Sequence, residues 1–163
     1  MKHDPLKCGI ICWEKYISKS STLLAASITE SSRLKPLAAF SIPQAVPSDR
    51  IASGYLLPRG TNCIVDTHSI NTNNYFWGDD STAYRPSRFL ERSPTSLRYN
   101  FWRFGFGPRN CMGKYVADIM IRVLVAHIVQ HYDLGVPMGD SDWGKDHQSW
   151  ISHPDTVLEC VKL

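Results

Sequence analysis

The sequence predicts a mainly α-helical fold that carries one small antiparallel β-sheet. Three observations lead there. Residues 13–35 and 114–132 hold apolar side chains at helical spacing. Residues 37–67 between them lose that period and fill with turn signals. The short strands in that middle stretch follow one another through tight turns rather than helix-length crossovers, so they pair antiparallel.

The first helix is expected from about Trp13 to Leu34. Leu23, Leu24, Ala25, Ala26 and Ile28 give it good helix formers and an apolar face, and Pro36 stops it. Glu30 and Arg33 stand three apart, on one side of it. Taken alone they read as a surface ion pair worth a few tenths of a kcal/mol, roughly. The sheet follows: a strand at Asp49–Ala52, a turn at Ser53-Gly54, a strand at Tyr55–Leu57, then a turn through Pro58-Arg59-Gly60-Thr61. Asn62–Thr67 comes next, where Cys63, Ile64 and Val65 suit a buried strand.

Asn71 to Asn100 is loop-like, and a stretch of that length in a compact domain needs specific packing to hold it. Pro86-Ser87-Arg88-Phe89 offers an anchor within it, although Arg88 alone reads as a solvated arginine. Asp79 and Asp80 read as acids of a solvated loop. In the second helix Val116, Ile119, Met120, Val123, Leu124 and Ile128 form a stripe that Ile121 and Val125 widen, so it is expected nearly all buried. Asp118 and Arg122 form its polar edge. Gly135 to Ser152 is turn-rich, and Thr156–Leu163 alternates towards a final strand.

A chain of 163 residues suits one domain or a piece of a larger one. The apolar share of 43% supports a core and the charged share of 20% argues against general disorder. A net charge of +3 is too small to imply a nucleic-acid partner, no Lys/Arg run appears, and none is expected. Five cysteines at irregular spacing make a poor disulfide framework and point to a reducing, intracellular compartment. No run reaches the roughly 18 apolar residues of a membrane span, and the N-terminus lacks a signal-peptide core.

The chemistry concentrates in Phe101–Gly113. Cys111 ends a Gly/Pro-bearing loop just before a helix, where unpaired N–H groups and the helix dipole favour thiolate over thiol. Such a sulfur attacks as a nucleophile or ligates metal. A phosphate loop does not fit: Gly107 to Gly113 encloses five residues, and Tyr115 follows Lys114. His127 and His131 have metal-ligand spacing on a helix, yet no glutamate follows His127, and interior helices commonly hold such histidines. Cys8-x-x-x-Cys12 lacks a second ligand pair and reads as incidental.

Phe104-x-x-Gly107-x-Arg109-x-Cys111-x-Gly113 resembles the haem-ligand loop of the cytochrome P-450 haem-thiolate monooxygenases. Glu30-x-x-Arg33 resembles that family's helix motif before the small sheet, and Pro86-x-Arg88-Phe89 its motif after the sheet; all three stand in the family's order. The wording between them looks most like the microsomal, fungal secondary-metabolism branch.

The resemblance spans roughly residues 13–163 and implies the C-terminal part of the P-450 fold. Residues 13–35 would be the Glu-x-x-Arg helix, 37–67 the sheet, 71–100 the meander and 101–113 the ligand loop. Residues 114–132 would be the final long helix, and 133–163 the closing turns and strand. The implied cofactor is haem b (iron protoporphyrin IX), with Cys111 as catalytic axial ligand to its iron. Arg109 would pair with a propionate, Phe104 would pack beside the porphyrin, Gly107 and Gly113 would permit close approach, and the N–H groups of Met112 and Gly113 would soften the thiolate's charge. Glu30, Arg33 and Arg88 would form a buried charge triad.

The implied activity is oxygen insertion into a small organic substrate, lined in part by Leu37 to Ser41. Electrons would come from an NADPH-dependent cytochrome reductase, with Arg103 and Lys114 as docking charges. The location would be the cytosolic face of the endoplasmic reticulum, through a membrane segment outside this chain. The family's central helix, which supplies the other wall of the haem site, has no counterpart in the sequence. The alternative is therefore a truncated, non-catalytic remnant without stable haem binding.

Overall fold

The computed structural model describes residues 15–136, 141–142, 155–156 and 158–163. Cys8, Cys12 and Trp13 lie outside them. Helix α1 runs Leu23–Leu34, ten residues later than the expected start. Residues 15–18 are helical, but the run then breaks. The cause is local. Lys19-Ser20-Ser21-Thr22 is rich in hydroxyls that compete for backbone groups. Thr22 Oγ1 donates to the Lys19 carbonyl (3.3 Å) and accepts the Ala25 N–H (3.2 Å), so Thr22 becomes the N-cap of a new helix.

The expected single sheet is instead a set of two-stranded antiparallel ladders. Strand β1 (Gln44–Ala45) pairs with β4 (Asn62–Cys63), with Gln44 opposite Cys63. Strand β2 (Arg50–Ala52) pairs with β3 (Tyr55–Leu57), with Ala52 opposite Tyr55. Ser53 and Gly54 both take positive φ (50° and 83°), the conformation that lets a two-residue turn follow the strand twist. The buried strand expected over Asn62–Thr67 is cut short. Asp66 caps helix α2 (Thr67–Thr72) by accepting the Ser69 N–H at 2.8 Å, and Ile64 is exposed.

The expected loop from 71 to 100 contains a 3₁₀ turn at Tyr75–Trp77 and two short helices, α3 (Arg88–Glu91) and α4 (Pro94–Leu97). Helix α5 spans Lys114–His131. Strand β5 (Tyr132–Gly135) pairs with β8 (Glu159–Lys162), and β6 (Ser141–Asp142) with β7 (Asp155–Thr156).

The core lies where α1, α2 and α3 meet. Ala25, Ala26, Ile28, Ala39 and Trp77 are its buried apolar residues. Trp77 stacks edge-on with Phe76, tilts against Phe89, and donates its indole N–H to the Ile70 carbonyl at 3.0 Å. Phe101 closes the aromatic group against Phe89, with ring centroids 5.1 Å apart.

Helix α5 reverses the sequence reading. Val116, Ile119, Met120, Val123 and Leu124 are exposed, and the buried residue is Arg122. Its guanidinium bonds the carbonyls of Ile17 and Lys19 (3.0 Å each) and pairs with Asp118. Periodicity identifies the stripe but cannot say which side has a neighbour. Here the side with Asp118 and Arg122 packs on the rest of the chain.

Candidate functional site

Glu30 and Arg33 follow from helix geometry: three apart on α1, they project to one side, and both are fully buried. Arg33 grips Glu30 with two bonds, Nε to Oε2 (2.7 Å) and Nη2 to Oε1 (2.9 Å). Arg88, at the start of α3 and likewise fully buried, donates Nε–H to Glu30 Oε1 at 2.9 Å. The Arg85 N–H adds a further bond to that oxygen, also 2.9 Å. The surface-pair and solvated-arginine readings both give way to this cluster.

Two arginines on one glutamate leave a surplus positive charge, which burial would penalise. Asp80 balances it. Its carboxylate lies 3.4 Å from Arg88 Nη1 and 3.3 Å from Arg85 Nε, so it is an ion-pair partner and not simply a solvated acid. The remaining guanidinium N–H groups reach carbonyls: Arg33 Nη1 to Asn71 (2.6 Å), and Arg88 Nη2 to Asp80 (3.0 Å) and Ala83 (3.1 Å). Arg33 also stacks over Trp77, 4.8 Å from the ring centroid. Desolvation pushes the Glu30 carboxyl up. The bonds from Arg33 and Arg85 and the charges of Arg33 and Arg88 outweigh it and hold the group below its ordinary range.

Sequence reasoning missed Asp80 as a member. Its placement eight residues before Arg88, with the turn at Gly78 (φ 79°) between Trp77 and Asp80, was the available signal.

The Cys111 loop is built differently. Its ends are joined by the Cys111 N–H donating to the Phe104 carbonyl at 2.7 Å, while Gly105 (φ 78°) and Gly107 (φ 68°) turn the chain where a side chain would be strained. Gly105, not singled out from sequence, is the more constrained: a Cβ there would sit 3.6 Å from Asn110 Cα. Beside Gly107 and Gly113 there is open space, so the protein itself makes no close approach at either.

Cys111 is exposed and carries a free thiol. Arg109 is exposed, and among the described residues its guanidinium has no ion-pair partner. Phe104 is half-buried under the Arg103 guanidinium, 4.6 Å from its ring centroid. Arg103 pairs with Asp118 at 2.6 Å and is only 14% exposed, which removes it from the expected docking charges. Lys114 lies over the Tyr115 ring at 5.0 Å. The structure therefore brings Glu30, Arg33 and Arg88 into contact, and groups Phe104, Gly107, Arg109, Cys111 and Gly113 in a separate loop.

Among the described residues no three His, Cys, Asp or Glu side chains converge as a metal cluster. His127 and His131 lie with rings 4.3 Å apart, and His131 Nδ1 is 2.9 Å from the His127 carbonyl. The donor set is one exposed sulfur, one unpaired cation and open space over two glycines. Those donors suit an anionic group held through one sulfur, and among the described residues no further ligands gather for a bare ion.

The family model of Cytochrome P450 matches residues 18–160. The chain belongs to the cytochrome P450 family. Its curated P450 relatives include the cytochrome P450 monooxygenase aclC of Aspergillus oryzae, 58% identical over 91% of this chain and 32% of that protein. Another is gliC of Aspergillus fumigatus, 42% identical over 93% of this chain and 30% of that one. The chain thus spans about a third of the length of these P450 relatives.

Among solved P450 structures, a zebra fish cytochrome P450 with abiraterone superposes with a TM-score of 0.73 at 25% identity, covering 86% of this chain and 34% of that one. The same source's structure with progesterone gives 0.74 at 26% identity. Mixed helices and small antiparallel ladders are accordingly the P450 arrangement. Among the described residues no helix is long and apolar enough to cross a membrane.

Proposed function

We propose that this chain is the C-terminal, cysteine-bearing part of a haem-thiolate monooxygenase that oxidises a small organic substrate in fungal secondary metabolism. The observation that carries the reading is the exposed Cys111 thiol two residues from unpaired Arg109, on a loop with open space beside Gly107 and Gly113. Bound haem b would supply the dioxygen chemistry, as thiolate-ligated haems do. Cys111 would supply the sulfur that holds the iron, and Arg109 would take a propionate as a charge-assisted pair. Phe104 would pack against the ring, and the N–H groups of Met112 and Gly113 would lower the charge on sulfur. Glu30, Arg33 and Arg88 would brace the core beneath. Residues 13–35, 37–67, 71–100, 101–113, 114–132 and 133–163 would serve as the successive segments of that part of the fold.

The partner would be an NADPH-dependent cytochrome reductase, and the location the cytosolic face of the endoplasmic reticulum. Leu37 and Phe40, both exposed within Leu37–Ser41, would border the substrate.

A second reading is favoured by the exposed face of α5: a remnant that holds no haem by itself. Haem titration separates the two. The native chain is expected to give the thiolate-type absorption of the reduced carbonyl complex, and Cys111→Ser to lose it. No such band in the native chain selects the remnant, whereas identical spectra for both would refute the ligand assignment.

A further inference from the structure

We infer that Asn71 is a positioning residue for the Cys111 loop, clasping the base of the loop and tying it to the buried charge cluster. Asn71 is fully buried near the end of α2. Its carboxamide engages both main-chain groups of one residue. Nδ2 donates to the Trp102 carbonyl at 2.7 Å, and Oδ1 accepts the Trp102 N–H at 2.7 Å. Two β-strand residues exchange bonds in the same way, but here a side chain supplies one half of the pair.

The Asn71 main-chain carbonyl in turn accepts from Arg33 Nη1. A continuous line of hydrogen bonds therefore runs from Glu30 through Arg33 and Asn71 to Trp102. Two residues later the Phe104 carbonyl receives the Cys111 N–H. Asn74 adds a parallel tie, donating Nδ2–H to Asn100 Oδ1 at 2.9 Å just ahead of the loop.

Only a side chain with a donor and an acceptor on one planar group can make the Asn71 clasp. Aspartate offers acceptors alone and leucine neither. The clasp also accounts for the half-buried base, residues 101–106, of a loop that is exposed from Gly107 to Gly113. Its purpose rests on the haem-loop reading above, but its existence does not.

Amide hydrogen exchange, read residue by residue on the full chain without haem, tests the clasp. In the native chain the Trp102 N–H is expected to be protected to within about tenfold of the α1 amides. Exchange of that N–H at the rate of an unprotected amide would overturn the inference. In Asn71→Ala, the Trp102 and Cys111 amides are expected to exchange at least about tenfold faster relative to those of α1.

Ile28→Ala serves as the control for general weakening, because it thins the core at a buried position away from the loop without lowering the helix propensity of α1. It should accelerate all these amides in proportion. The same proportional change in Asn71→Ala would mean that no clasp exists. Should Asn71→Ala fail to fold, the native-chain measurement decides. A native chain with a protected Trp102 N–H that takes up no thiolate-ligated haem supports the clasp and sinks the haem reading instead.

Discussion

Around Glu30, three charged side chains are completely buried, and each finds ionic or carbonyl partners within 3.5 Å. Along α5, by contrast, a stripe of valine, isoleucine, leucine and methionine is exposed, and the one buried residue is an arginine. Arg122 Nε is the single buried side-chain polar atom without a partner among the described residues. Burial thus follows partnership rather than polarity. A charge goes inside when its neighbours satisfy it. An apolar face stays outside when nothing in the described chain covers it.

The charge cluster offers the largest lever on this contrast. Arg88→Ala would take one charge partner from Glu30, strip a donor from the Asp80 and Ala83 carbonyls and leave a cavity in the core, and a loss of about 3–5 kcal/mol is expected by urea denaturation. A loss typical of surface arginines would mean that the buried cluster does not form in solution.

Acidification acts on the same cluster more gradually. The Glu30 carboxyl is held below its ordinary value of 4.5 in the folded chain. Its contribution is therefore complete above that pH and is lost as pH falls through the lower, folded value. Glu30→Gln should flatten this part of the stability–pH curve. An unchanged acid limb would show that other carboxylates govern it.

The exposed face of α5 should respond least. Met120 is 65% exposed, so Met120→Gln is expected to change stability by no more than about 0.5 kcal/mol. A cost of several times that would show that the face is covered in solution and would erase the contrast.

Much of this was legible in residues alone. The helical period of 114–132, the Ser53-Gly54 turn and the ordered motifs around Glu30, Arg88 and Cys111 all depend on local geometry or fixed spacing. The interruption of the first helix was legible only in part, because hydroxyl-rich Lys19–Thr22 competes with a helical pattern that continues on both sides. Asp80 and Asn71 were harder still. An aspartate or asparagine in a polar stretch has many uses, and only its distant partners select one.

What the sequence by itself determined was which residues can meet: Glu30 and Arg33 share a helix face, and Cys111 follows a loop that glycines allow to turn. Tertiary structure alone decided which side of each element is covered. It set Arg88, 58 residues away, on Glu30, brought Asn71 to Trp102, and turned Arg122 inward while Met120 faces out. The physical reason is that periodicity describes an element about its own axis, whereas burial energy depends on the neighbour that arrives.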